Sequence, residues 1–338
     1  MKSWKLLAPN KLVLEESEPT VLEENLVKVK IEEVLLSTTD VEMINGASKS
    51  QLPIVPGRNA VGVVSEVFDK GKSMLQKMDR VVIEPYLPCE SCWACEKGDF
   101  DKCCDMKYMG QNCDGLMQDF VTVSTEQAHH LPDNLSDEQA LFVAYVAFGL
   151  NVVDSLDIEK GTHVAIFAST KTGIILAQLV AYYQAVPILV SGNEDLLNAA
   201  RSLGIFYCVN TEQVDVEKEI RTVTGGRMCK HLVLFSDSEF SMKDLYAAAA
   251  TNAIICLAGS SNKDSRLSIA QICQKHLTIF CVYNGVGNFA SAINLLVTGT
   301  VKVDQLIGDT IKFEQLDTAI KNVKPDDLAL KSQVIKVD

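Results

Sequence analysis

The chain contains no run of about 20 apolar residues able to span a bilayer. Its opening residues, MKSWKLLAPNKLVLEESEP, hold no apolar stretch of the length a secretory leader needs, and they soon turn acidic. Positive charge is also short: 31 Lys and Arg stand against 44 Asp and Glu, a formal net charge of −13. That field repels phosphate backbones and anionic lipids, so neither nucleic acid nor membrane is expected as a partner. Internal repeats and low-complexity linkers are absent. What remains is an ordinary globular composition, 47% hydrophobic and 22% charged, and 338 residues suffice for about two domains. The 11 cysteines are an odd number, and most are scattered. With no secretory leader, that pattern predicts free thiols and a cytoplasmic location.

Four of those cysteines are not scattered. Cys89, Cys92, Cys95 and Cys103 fall within PCESCWACEKGDFDKC, spaced C-x2-C-x2-C-x7-C. Thiolates bind Zn²⁺ at about 2.3 Å, and a four-sulfur cage leaves no position for water or substrate. Such a site staples a loop and does no chemistry. Buried core thiols are the alternative, but Glu90, Glu96, Lys97 and Asp99 are interleaved with these and do not suit a core. One structural zinc per chain is expected.

Up to about residue 140 the texture is of short strands between turns, as in LVKVKIEEVLL, VGVVSEVF and RVVIEP. From Ser136 it changes. SDEQALFVAYVAFGLNVVDSL opens on an N-cap serine with acids in its first turn and reads as one helix. Strand and helix patterns then alternate: HVAIFA, GIILAQLVAYYQ, PILVS, EDLLNAARSLG, HLVLFS, MKDLYAAAATN, AIICLAG and HLTIFCVYN. This rhythm predicts a parallel, doubly wound sheet. Short helices and small strands follow from about residue 286.

A β-rich first part with a four-cysteine lobe, a βαβ half and a return segment resembles the zinc-containing medium-chain dehydrogenase/reductase family, and its alcohol, polyol and threonine dehydrogenases in particular. Beyond the lobe the resemblance rests on STTD at 37–40, PGRNAVGVV at 56–64 and DGLMQDFV at 114–121. It implies an α/β protein with a GroES-like catalytic domain over 1–147 and 286–338, carrying the zinc lobe at about 88–104. A Rossmann nucleotide-binding domain over 148–285 would be inserted in it. In that family substrate sits in a cleft, where a second zinc polarises its oxygen.

At the positions that resemblance assigns to the second zinc, the ligands are missing. Ser37 opens the segment where the family has C-G-[ST]-D, and Arg58 and Asn59 stand in its G-H-E. Val143 or Ala144 occupies the place of a further Glu or Cys. Zinc takes thiolate, imidazole or carboxylate, and a guanidinium repels it. An empty catalytic metal site is expected. An unpaired buried cation costs several kcal/mol, so Arg58 is expected to pair with Asp40.

The nucleotide fingerprint is altered as well. Where the family shows G-x-G-x-x-G, this chain has Ala168, Ser169, Thr170, Lys171, Thr172 and Gly173, keeping only the last glycine. The hydroxyls of Ser169, Thr170 and Thr172 and the Lys171 ammonium remain as anion ligands beside helix N-terminal amides. An ordinary strand–turn–helix without ligand is the alternative. The ribose-binding acid expected after the next strand is replaced by Ser191, Gly192 and Asn193, which favours NADP(H) over NAD(H). His129 and His130 read as partnerless rim residues, and TGGR at 224–227 as a helix-ending turn.

Two functions follow. One is metal-free reduction of a carbonyl or enone small molecule by a nicotinamide nucleotide, with Arg58 as a fixed positive charge and Thr39 or Tyr145 as proton donor. The other is a catalytically inactive homologue that binds a ligand or partner. A conventional zinc alcohol dehydrogenase ranks below both, since no spare Cys, His or Glu except Glu42 lies near the expected ligand positions. HLTIFCVYN, as an apolar edge strand, suggests a homodimer or homotetramer.

Overall fold

The computed structural model describes residues 1–17, 24–48, 50–68, 74–236, 238–259 and 266–337. Contacts group the chain into two units. The first comprises Met1–Ala144, Phe289–Thr298 and Val303–Asp338, and the second Tyr145–Asn288 and Gly299–Lys302.

In the first unit, β1 (Lys2–Ala8) and β2 (Lys11–Glu16) form a hairpin. A larger sheet grows around β3 (Leu26–Leu36), whose Val27, Val29 and Ile31 alternate inward while the lysines between them stay half-exposed. That period of two buries one face of the strand. Next come β4 (Ala60–Phe68), β5 (Arg80–Ile83), the short pair β6 (Tyr86–Leu87) and β7 (Lys107–Tyr108), β8 (Phe120–Ser124) and β9 (Ala128–His130). Antiparallel pairing joins β3 to β4 and β8, β4 to β5, and β5 to β9.

In the second unit, β10 (His163–Phe167), β11 (Val186–Ser191), β12 (Tyr207–Asn210), β13 (Cys229–Phe235), β14 (Ala249–Ala258) and β15 (Thr278–Val282) form one sheet in the order β12-β11-β10-β13-β14-β15. Every neighbouring pair in it is parallel. The chain steps one way from β10 to β12 and the other way from β13 to β15. The switch point, where ligands of such sheets bind beyond the strand ends, therefore lies between β10 and β13. The expected doubly wound fold is what forms.

The last strands, β16 (Ile307–Lys312) and β17 (Ser332–Lys336), return to the first unit, where β17 pairs with β3. Trp4 helps to fix this return. Its indole N–H donates to the Phe313 carbonyl at 2.8 Å, and the two rings meet edge to face at 6.3 Å.

Two local expectations fail. The helix from Ser136 breaks at Leu141 and Phe142 into α2 (Asp137–Ala140) and α3 (Val143–Leu156). The AAAATN run is not all helix either: its helix stops at Ala248, and Ala249 begins β14, paired with Cys229 of β13. Sheet pairing there overrides alanine's helix propensity. The Asp137–Leu156 stretch is, by length and composition, apolar enough to cross a membrane, contrary to the reading of the sequence. However, 67% of its apolar window is buried inside the protein, as in a core helix.

Candidate metal centre and nucleotide site

The four-cysteine lobe is built from tight turns. Gly98 takes φ +79° to end the turn of Cys95–Lys97, folding the chain back toward Cys103. The Sγ atoms of Cys89 and Cys95 lie 4.0 Å apart and those of Cys92 and Cys95 3.5 Å apart, and all four sulfurs fall within 4.8 Å of one another. A tetrahedron with 2.3 Å zinc–sulfur bonds has edges of about 3.8 Å, so the donor set fits the ion. Backbone amides prepare it. The Cys89 N–H points at Cys103 Sγ at 3.2 Å. The N–H groups of Cys95 and Cys104 hold the Cys92 thiol down to about 5, and that of Ser91 lowers Cys89. Burial pushes Cys95 up to about 12. A bound cation draws off such a proton. Among the described residues, no other group of three or more His, Cys, Asp or Glu side chains converges in this way.

Ser37 and Asp40 are occupied with each other. The helix α1 (Thr38–Ile44) starts with Ser37 as its N-cap, and Asp40 Oδ2 accepts from both the Ser37 N–H (3.0 Å) and its hydroxyl. This capping box explains why the two residues face each other. Asp40 is 1% exposed, and its Oδ1 is buried without a hydrogen-bond partner. Burial raises its pKa and outweighs the Arg58 charge and the Ser37 bonds, while the Gly57 N–H leans toward the carboxyl without closing a bond. Gly57 has φ +95°, and a side chain there would strike Met117 at 2.8 Å, so only glycine fits before Arg58.

The Arg58–Asp40 ion pair does not form. Among the described residues Arg58 has no carboxylate partner within 4.0 Å, its Nε is buried without a partner, and its charge reaches Asp40 only through space. The capping box holds the carboxyl on α1 through Oδ2, and its Oδ1 is left without a donor. Asn59 and Val143 are buried, and Thr39 is half-buried in the first turn of α1.

In the second unit, the turn after β10 leads into α4 (Lys171–Tyr182). Thr170 is its N-cap, yet its side chain makes no capping bond, and its hydroxyl lies 3.1 Å from that of Thr172. Lys171 is 1% exposed, with its ammonium 5.9 Å from the centre of the Tyr145 ring. The lysine expected to help hold an anion is thus an interior residue. Gly173 survives for packing: a Cβ there would lie 2.4 Å from Ala168 Cβ. Its absence lets α4 lie close on the sheet, as the third glycine of such fingerprints does. Ser191 is fully buried and accepts the Asn193 N–H at 3.2 Å, so its hydroxyl serves the turn into the next helix. A Cβ on Gly192 would meet Glu239 Oε1 at 2.9 Å, Thr211 Oγ1 at 3.3 Å and Glu212 Oε1 at 3.7 Å.

This sheet order and lobe have counterparts among known proteins. Residues 23–133 match the alcohol dehydrogenase GroES-like domain, and residues 172–298 match the zinc-binding dehydrogenase family. The chain belongs to the medium-chain dehydrogenase/reductase superfamily. It is 28% identical over 328 residues to a zinc-type alcohol dehydrogenase-like protein of Haemophilus influenzae, covering 96% of this chain and 95% of that one. A sorbitol dehydrogenase of Bacillus subtilis is 23% identical over 290 residues, covering 84% and 80%. An Escherichia coli alcohol dehydrogenase solved with NADH superposes with TM-score 0.87 at 22% identity, over 100% of this chain and 99% of that one. A Sinorhizobium meliloti protein solved with NADP gives 0.88 at 19% identity, over 99% of each chain.

For this dehydrogenase-family chain, the cysteine lobe fits the metal its family name implies. The nucleotide fits in outline. A helix N-terminus without a side-chain cap and neighbouring hydroxyls stand at the turn where Rossmann folds bind a diphosphate, although Ala168 and Thr170 replace two glycines. The sequence reading missed two arrangements. His129 is not partnerless: its Nε2 meets Glu84 Oε2 at 2.7 Å, and its ring stacks on Phe289 at 5.0 Å. Pairing of β5 with β9 sets this contact, which spacing along the chain does not signal. The other is Glu239, 47 positions after Gly192 in sequence yet touching it in space.

Proposed function

We propose that this chain reduces a conjugated carbonyl compound with a reduced nicotinamide nucleotide and without a catalytic metal. The observation that carries this reading is Arg58, a permanent cation whose Nε is buried without a partner and which, among the described residues, has no carboxylate closing on it. A reduced nicotinamide, when bound, supplies the hydride. Arg58 meets the negative charge that develops on the substrate oxygen, the role a metal plays elsewhere. The Thr39 hydroxyl, in the same unit, passes a proton from solvent to the product. Tyr145 belongs to the other unit, where its ring takes the Lys171 cation. Burial raises the Asp40 pKa against the opposing Arg58 charge.

Titrating the protein with NADH and NADPH while following nicotinamide fluorescence tests the reading. Saturable binding at micromolar concentrations is expected, and no binding of either nucleotide would refute it. One observation favours the second reading, an inactive homologue that binds a ligand or partner: Thr170, Lys171 and Thr172 are buried at the phosphate turn. On that reading neither nucleotide binds.

Assembly as at least a homodimer belongs to the same proposal. It is supported by β15, which is the last strand of its sheet and carries exposed Thr278 and Cys281. An unpaired strand edge invites a twofold mate. Light scattering at micromolar concentration is expected to give at least twice the 37.0 kDa chain mass; a monomer mass would contradict it.

A further inference from the structure

The geometry points to Glu239 as the residue that selects NAD(H) over NADP(H), supplying from the loop after β13 the carboxylate missing after β11. This rests on the reading above that a nicotinamide nucleotide binds the second unit. Three observations place the acid. Its Oε1 sits 2.9 Å from where a Gly192 Cβ would be, so the absent side chain at 192 makes the room the carboxylate fills. Its backbone N–H donates to Ser169 Oγ at 3.4 Å, which ties the loop to the turn between β10 and α4. Glu212 Oε1 approaches the same point, at 3.7 Å, from the loop after β12. Two acids from different loops therefore overhang the C-terminal end of β11, beside the switch point of the sheet.

A carboxylate at the end of this strand accepts hydrogen bonds from ribose hydroxyls and repels a phosphate on the 2′ oxygen. Ser191 and Asn193 alone carry no such charge, which is why the bare sequence favoured the phosphorylated cofactor. Glu239 reverses that preference. Glu212, whose own N–H is held by Asn210, adds negative charge, but Glu239 is the nearer acid and the one whose backbone N–H ties it to the turn after β10.

The test is direct binding of NADH and NADPH, by calorimetry or fluorescence, to the wild type and to Glu239→Gln. Glu239 is exposed, so the variant should fold, and its melting temperature serves as the control. The wild type is expected to bind NADH at least about tenfold more tightly. In Glu239→Gln that ratio should fall about tenfold, mainly through a gain in NADPH affinity. A wild type that prefers NADPH, or a variant with an unchanged ratio, would overturn the assignment while leaving nucleotide binding intact. Failure of the wild type to bind either nucleotide would overturn both it and the reading it rests on.

Discussion

Replacing Cys92 with serine is expected to lower zinc from about one ion per chain to nearly none and to open the lobe around residues 88–104. Cys92 is the thiol most prepared for metal, since backbone N–H groups, those of Cys95 and Cys104 foremost, aim at it and hold it down to about 5. A serine hydroxyl keeps the shape but cannot supply the charge. Structural zinc sites of this kind bind with about 10–16 kcal/mol in small peptides, so losing one ligand should be decisive for the ion. The lobe is a loop carried by a larger sheet, so the loss should stay local. Protease cuts within 88–104 should appear, the main melting transition should move by only a few degrees, and nucleotide affinity should be unchanged. Elemental analysis with limited proteolysis checks this. A variant that keeps its full zinc would show that these sulfurs are not the cage.

The second large effect is expected at Arg58. Replacing it with methionine keeps bulk and removes charge, so enone reduction should fall about 10²–10³-fold in kcat, the usual loss when one oxyanion donor is removed. Nucleotide affinity should not change, because Arg58 belongs to the other unit. Arg58→Lys should recover only part of the rate, since a point ammonium does not reproduce the planar fork. Steady-state kinetics with saturating nucleotide would separate these outcomes. Full activity in Arg58→Met would remove the guanidinium from the chemistry.

Much of the fold was legible because its signals are local. The cysteine spacing already implies the convergence of four sulfurs, and the strand–helix rhythm from His163 onward implies the parallel sheet. Ser37 and Asp40 carry a capping signature three residues apart, although its consequence, an Asp40 carboxyl held on α1 through Oδ2, needed the conformation of α1. The distant contacts were not legible. His129 meets Glu84 only because β5 lies beside β9, and Glu239 reaches Gly192 only because the loops after β11 and β13 share one end of the sheet. The fate of Lys171 was hidden for a different reason. A lysine at a helix start reads as an anion ligand, and its burial beside the Tyr145 ring comes from packing that sequence spacing does not signal.

Counting zinc per chain in protein that is turning over an enone with NADH tests metal-free catalysis most directly. One structural ion and no catalytic ion predict a value near one, with activity that survives a chelator too weak to strip the cysteine cage. A value near two, with activity lost as the second ion is removed, would contradict it.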